Sequence, residues 1–433
     1  MVTAVLLARA ETGGGTGTLS GCHASPRSSW TLNRRGRSPA RVTRRLRHPR
    51  ARGAVTWPSG PRGVGRVTGF LAAASPVAGA PDRHPRRGET VLDVHTPERR
   101  ATTDAVDTTA LPHARGPVSS AVLEVLADDR AAGDLPHPSS SGLDPYGDDL
   151  QLALYLCYEL HYRGFPGVDP ELEWDPDLLA LRRALEQVFV AALQRDVEGG
   201  DDVEAAVDAL LVEPVEGTGP SWKLAEDGEL WQLREYVVQR SIYHLKEADP
   251  QAWVIPRLDG QAKASLVTVE HDEFGAGHAD RVHARIFADM MDELGLDSTY
   301  HAYLDVAPAL TLATVNVMSL FGLHRRWRGA SVGQFALVEV TSSPGSARLV
   351  KAMQRLGLPV AAQAFYEEHI EADAVHEQLV RRGLLADLTA REPSLAADIV
   401  FGIQASSFLE DRLADHLVRS WDAGSSSLLR AAV

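Results

Sequence analysis

His369, Asp373 and His376 form an H-x3-D-x2-H array within residues 365–382. At about 100° per residue, offsets of four and seven put Asp373 about 40° to one side of His369 and His376 about 20° to the other. The three side chains therefore share one helical face and can reach one point. Phe365, Ala372, Leu379 and Val380 continue that face, whereas Glu367, Glu368, Glu371, Glu377 and Arg381 fall mostly elsewhere, so the array is expected to point inward. A single inward histidine is ordinarily a hydrogen-bonded core residue. Two imidazoles with a carboxylate ask for more, because a buried carboxylate needs a cation. This donor set suits iron, manganese or zinc, and it argues against calcium and against a thiolate site.

Further ligands must come from elsewhere in the chain. Glu339 is the lone charge in Phe335-Ala-Leu-Val-Glu-Val, where an ionised Glu is costly unless a cation meets it. Its competing reading is a helix end facing solvent, because Ser342, Ser343, Pro344 and Gly345 follow closely. The stretch from Glu270 to His283 offers two pairs. Glu273 and His283 are about 80° out of phase on a straight helix and meet only if Gly275 and Gly277 interrupt it. Asp280 and His283, a carboxylate-x2-His pair, converge more easily. Spacing alone leaves both pairs open.

Taken in order, Glu273, His283, Glu339, His369, Asp373 and His376 resemble the ligand pattern of the haem-oxygenase-like diiron oxidases and oxygenases. Asp272-Glu-Phe-Gly, Phe321-Gly-Leu-His-Arg-Arg-Trp-Arg-Gly and Phe365-Tyr-Glu-Glu-His also look like the actinobacterial iron-containing redox enzymes. The resemblance covers about residues 118–430 and selects Glu273 over Asp280. It implies an all-α, haem-oxygenase-like bundle holding two Fe(II) ions, with dioxygen as co-substrate and all six residues in the catalytic metal site. Nitrogen-oxidising members carry one further carboxylate, a part that Glu247, 26 residues before Glu273, could play; the bland reading is a surface Glu beside Lys246 and Asp249.

The elements that must position these residues read as helices. Apolar residues recur at three and four through residues 149–163, 174–195, 199–212 and 222–247, then from 260 almost to the end, and strand alternation is nearly absent. Pro and Gly mark the expected breaks, notably residues 217–220, Pro250, Pro256, Pro308, Pro344, Pro359 and Pro393. Ligands on facing helices of a bundle are the natural arrangement.

Charge divides the chain. Residues 1–100 hold 18 of the 44 basic residues, all Arg, and 5 of the 58 acidic ones. That Arg-, Gly- and Pro-rich stretch has no sustained period and too little apolar surface to fold alone, so residues 1–116 are expected to be a disordered basic extension and residues 117–433 the helical domain. Without aromatic spacing for base stacking, no nucleic-acid partner is expected. No apolar run approaches membrane-spanning length, so no membrane partner is expected and the location should be cytoplasmic. Cys22 and Cys157 give neither a disulfide framework nor a thiolate site.

The expected activity is oxidation of a small-molecule substrate at a C–H, C–C or N centre, with an external electron donor and a homodimer both compatible. The alternatives are a metal-binding, iron-storage or interaction protein without catalysis, a haem enzyme of the same fold, and a metal-free relative using Cys157. Arg325, Arg326 and Arg328 could bind a substrate carboxylate or phosphate, or simply be a solvated helix end. Tyr158, Glu159, His161 and Tyr162 are expected to form a buried hydrogen-bonding cluster.

Overall fold

Proline and acidic caps start several helices where the sequence places them. Asp175 accepts from the backbone of Asp177 and Leu178 with Pro176 at the first helical position, and Glu229 with Gln232 forms a capping box. The computed structural model describes residues 111–135, 142–213 and 217–432. Its helices are α1 (Pro117–Leu126), α2 (Asp148–Glu159), α3 (Pro176–Asp196), α4 (Val203–Leu210), α5 (Pro220–Glu226), α6 (Leu230–His244), α7 (Asp249–Ala252), α8 (Gly260–Glu273), α9 (His283–Glu293), α10 (Ala309–Leu323), α11 (Arg328–Arg355), α12 (Val360–Gln378), α13 (Ala386–Arg391) and α14 (Ala396–Asp422). No strand occurs among the described residues, as the all-α reading expects. None of the helices is long and apolar enough to cross a membrane.

The apolar helix α10 is buried along nearly its whole length and packs on α2 and α14. A helix hydrophobic all round belongs in the centre of a bundle. Around it, α11 packs on both α12 and α14. The α11–α14 crossing is tight because Gly333 faces the carbonyl of Ile399 and Gly402 faces that of Ala330; a Cβ on either would sit 2.1 Å from the carbonyl oxygen. Beneath α10, the fully buried Lys246 pairs with Glu159 at 2.8 Å, and its ammonium lies over the rings of Tyr155 and Tyr162. Tyr300 donates to the other oxygen of Glu159, so this buried ion pair is well solvated by protein groups. The expected cluster of Tyr158, Glu159, His161 and Tyr162 is met in part: all four are largely buried, but Tyr162 donates to Ser319, His161 pairs with Glu173, and the Tyr158 hydroxyl makes no hydrogen bond.

Three expectations about elements are corrected. Pro344 does not break a helix but lies inside the 28-residue α11, whose packing on α12 and α14 outweighs the missing backbone hydrogen bond. The period over residues 222–247 belongs to two helices, divided at residues 227–229 ahead of the Glu229 capping box. After α12, residues 379–385 continue as a π-helical segment that no periodicity anticipates.

The expected extension falls outside the described residues up to position 110. Within the described residues, positions 111–116, expected as part of the extension, contact the helical body: His113 binds Asp305 and Arg115 donates to the carbonyl of Leu304.

Candidate metal centre

Five elements supply the candidate ligands. The turn after α6 brings Glu247, the end of α8 brings Glu273, the start of α9 brings His283, α11 brings Glu339, and α12 brings His369, Asp373 and His376. Helix α8 stops at Glu273 and α9 starts at His283, with Gly275 (φ 74°), Ala276 (φ 52°) and Gly277 (φ 86°) all left-handed between them. This is the interruption that convergence of Glu273 and His283 requires, and His283 Nδ1 lies 2.7 Å from Glu273 Oε2. Asp280 is exposed and outside the cluster.

All seven side chains are buried. They form two groups, each with potential ligand atoms within 4.8 Å of one another: Glu247, Glu273, His283 and His369 in one, and Glu273, Glu339, Asp373 and His376 in the other. Glu273 belongs to both. In the first group His369 Nε2 lies 3.8 Å from Glu247 Oε1, too far for a hydrogen bond, and His244 Nδ1 lies 2.9 Å from the same oxygen. In the second, His376 Nδ1 lies 3.1 Å from Glu339, 3.5 Å from Asp373 and 3.6 Å from Glu273.

Several of these atoms are close without being bonded to one another. Glu247 Oε2 is buried and makes no hydrogen bond. In a low-dielectric interior such an orphaned atom is costly, and its place among the other donor atoms fits a cation that it could meet. Around them, His369 Nδ1 faces the carbonyl of Phe365 at 2.6 Å, leaving Nε2 for the group, and Ser342 Oγ donates to Asp373.

The charges tell the same story. Burial pulls the His369 imidazole down, but Glu247, Asp373 and Glu273 outweigh it and carry it up to about 10. Burial likewise opposes protonation of His376, yet Asp373, Glu339 and Glu273 bring it to about 11. Burial lifts the Glu339 carboxyl to about 8, against its contact with His376. Burial would also raise Glu247, but His244 and His369 hold it well below the usual carboxylate range. Protons on imidazoles are thus the counter-cations this cluster attracts.

Sequence reasoning passed over Glu270, His244 and Asp272 as site residues. Glu270 is buried with neither oxygen hydrogen-bonded, and burial with Glu273 and Glu339 nearby pushes it up to about 9. It occupies a polar run, Glu270-His-Asp-Glu, that reads in one dimension as a solvated helix end. The basic run 325–328 lies elsewhere, with Arg328 paired to Glu392 and Arg326 over the Trp327 ring. It occupies the turn leading into α11 rather than a helix C-terminus.

A family model described as iron-containing redox enzyme matches residues 234–411, a stretch that contains every candidate ligand from Glu247 to His376. This region carries the iron-containing redox enzyme signature. Among curated proteins, the nitrosourea synthase of Streptomyces achromogenes subsp. streptozoticus is 24% identical over 232 residues, covering 52% of this chain. The alignment takes in 49% of that protein, so the chain spans about half the length of the curated relative it matches. Similar solved structures include a CADD-like protein of unknown function from Nostoc punctiforme, 16% identical with TM-score 0.42 over 51% of this chain and 98% of that one. Another is a domain of unknown function with a heme oxygenase-like fold from Shewanella denitrificans, 18% identical with TM-score 0.41 over 56% of this chain and 98% of that one. The family description is that of an oxidoreductase, and the buried carboxylate and imidazole groups fit a metal site.

Proposed function

We propose that this protein is a non-haem diiron oxidase or oxygenase that activates dioxygen to oxidise a small organic substrate. The observation that carries the reading is the pair of buried donor groups sharing Glu273. Glu247, Glu273, His283 and His369 would hold one ion, and Glu273, Glu339, Asp373 and His376 the other. Two ferrous ions bound there would supply electrons for reducing dioxygen, with an external donor restoring them. Carboxylate and imidazole ligands suit iron, and the family description independently attaches iron and redox chemistry to this stretch.

The protein's own groups shape what can react. A cavity of about 10 Å³, room for roughly one water, lies against Glu247, Glu273, Glu339, His369 and Asp373, with Tyr243 and Phe335 in its wall. Bulk water is therefore kept from the ligands, and a substrate must displace part of the wall to reach them. Burial raises the Glu339 carboxyl in the metal-free cluster, so an ion bound there would displace its proton. Among C–H, C–C and N oxidation, the likeness to a nitrosourea synthase favours nitrogen as the atom oxidised.

A haem enzyme would leave Glu339 and Asp373 without a role. A thiol nucleophile is disfavoured too, because burial pushes the Cys157 thiol up to about 12. Stopped-flow mixing of anaerobically Fe(II)-loaded protein with dioxygen tests the proposal against iron storage and purely structural readings. The expected result is rapid dioxygen uptake with a transient visible absorption that Asp373→Ala abolishes. Loaded protein that consumes dioxygen no faster than free Fe(II) in the same buffer would contradict it.

A further inference from the structure

Asp272 immediately precedes Glu273, the carboxylate common to both donor groups, but its side chain turns the other way and is 47% exposed. Its Oδ2 lies 3.3 Å from Nε2 of His376, whose own side chain is only 1% exposed. Its Oδ1 lies 3.5 Å from Nδ1 of the surface residue His271. The His376 ring is thus held between two sets of partners: Nδ1 faces Glu339, Asp373 and Glu273, and Nε2 faces Asp272.

An imidazole binds a metal through a nitrogen lone pair, so the nitrogen aimed at the metal must carry no proton. If Nδ1 is that nitrogen, the remaining ring proton belongs on Nε2, where Asp272 is the acceptor. A carboxylate in this position fixes the tautomer and the ring plane, and it strengthens the nitrogen opposite as a donor. Helix stability does not explain the residue, because an acidic side chain in the last turn of α8 opposes the helix dipole. Nor is it needed to satisfy Glu273, whose oxygens face His283 and His376.

We propose that Asp272 is a positioning residue that orients and polarises His376 for metal binding at the Glu273–Glu339–Asp373–His376 group. The inference rests on the metal-centre reading above. Asp272 acts through His376 and does not touch the metal itself.

The test compares the full-length protein with Asp272→Ala and Asp272→Asn by anaerobic Fe(II) titration, followed by near-infrared circular dichroism of the bound ferrous ions. Asp272→Ala should weaken the ion held by His376 by about 10- to 100-fold and alter its ferrous spectrum, while the ion of the Glu247–His283–His369 group keeps its affinity within about twofold. Asp272→Asn keeps an oxygen acceptor for Nε2–H without the full charge, and should recover a large part of the loss. Thermal melting of the metal-free variants should stay close to the parent, since the carboxylate faces Nε2 of His376 but opposes the α8 dipole. Asp272→Ala that binds both ions with parental affinity and spectrum overturns the proposal. So does a loss shared equally by both ions, or one that Asp272→Asn fails to relieve, because either points to a general structural effect. A parent protein that takes up fewer than two ions overturns the metal-centre reading itself, before any variant is compared.

Discussion

Buried carboxylates need counter-charges, and in this cluster the partners are imidazoles rather than lysines or arginines. With His369 near 10 and His376 near 11, both rings are protonated at neutral pH until a cation replaces those protons. Metal binding must therefore release protons, and affinity must rise with pH across the range where the free rings are protonated. Loading weakly buffered protein with Fe(II) at pH 7 should release at least two protons per fully loaded chain, read by an indicator dye or a pH-stat. Uptake of iron without proton release would mean that His369 and His376 are not ligands. The face shared by residues 369, 373 and 376 follows from helical period alone, and Glu339 from being the lone charge in an apolar run. The roles of Glu270, His244 and Asp272 are not legible that way. Each depends on which side of α8 or α6 the neighbouring helices cover, a tertiary fact that no local pattern carries.

Between α8 and α9 the backbone conformation decides whether a site forms. Gly275 has φ 74°, and a Cβ there would lie 2.7 Å from the backbone nitrogen of Val282 and 2.8 Å from the carbonyl carbon of Arg281. Gly275→Ala should therefore open the turn that brings His283 back to Glu273. It adds a steric clash to the roughly 1–2 kcal/mol cost of a left-handed non-glycine residue. Gly277 has φ 86° and nothing within 4 Å, so Gly277→Ala should cost only the backbone strain. Fe(II) titration and thermal melts of both variants check this. The expected outcome is weaker binding at the Glu247–Glu273–His283–His369 group for Gly275→Ala, with a smaller effect for Gly277→Ala. Equal, parental binding in both would show that the turn does not set the site. The glycines made this interruption readable from sequence, whereas Pro344 misled, because its helix is held by packing on two neighbours rather than by local preference. The π-helical segment after α12 was equally hidden. There Gly383 sits against Ser265 of α8, a contact across more than a hundred residues that no helical period encodes.

At the scale of the whole molecule, a bundle around the apolar α10 brings together candidate ligands spread from Glu247 to His376. The helical class was evident from apolar periodicity over most of the body, whereas the contacts of His113 and Arg115 with it were not, because polar anchors carry no hydrophobic signal. The reach of the bundle makes one claim central: two ions share Glu273, and every ligand from these separate elements is needed. Anaerobic equilibrium titration of the full-length protein with Fe(II) measures it directly. The account predicts saturation at about two ions per chain, falling to about one for His369→Ala and to about one for Asp373→Ala, each variant losing a different ion. Saturation at a single ion that His369→Ala leaves unchanged would contradict it.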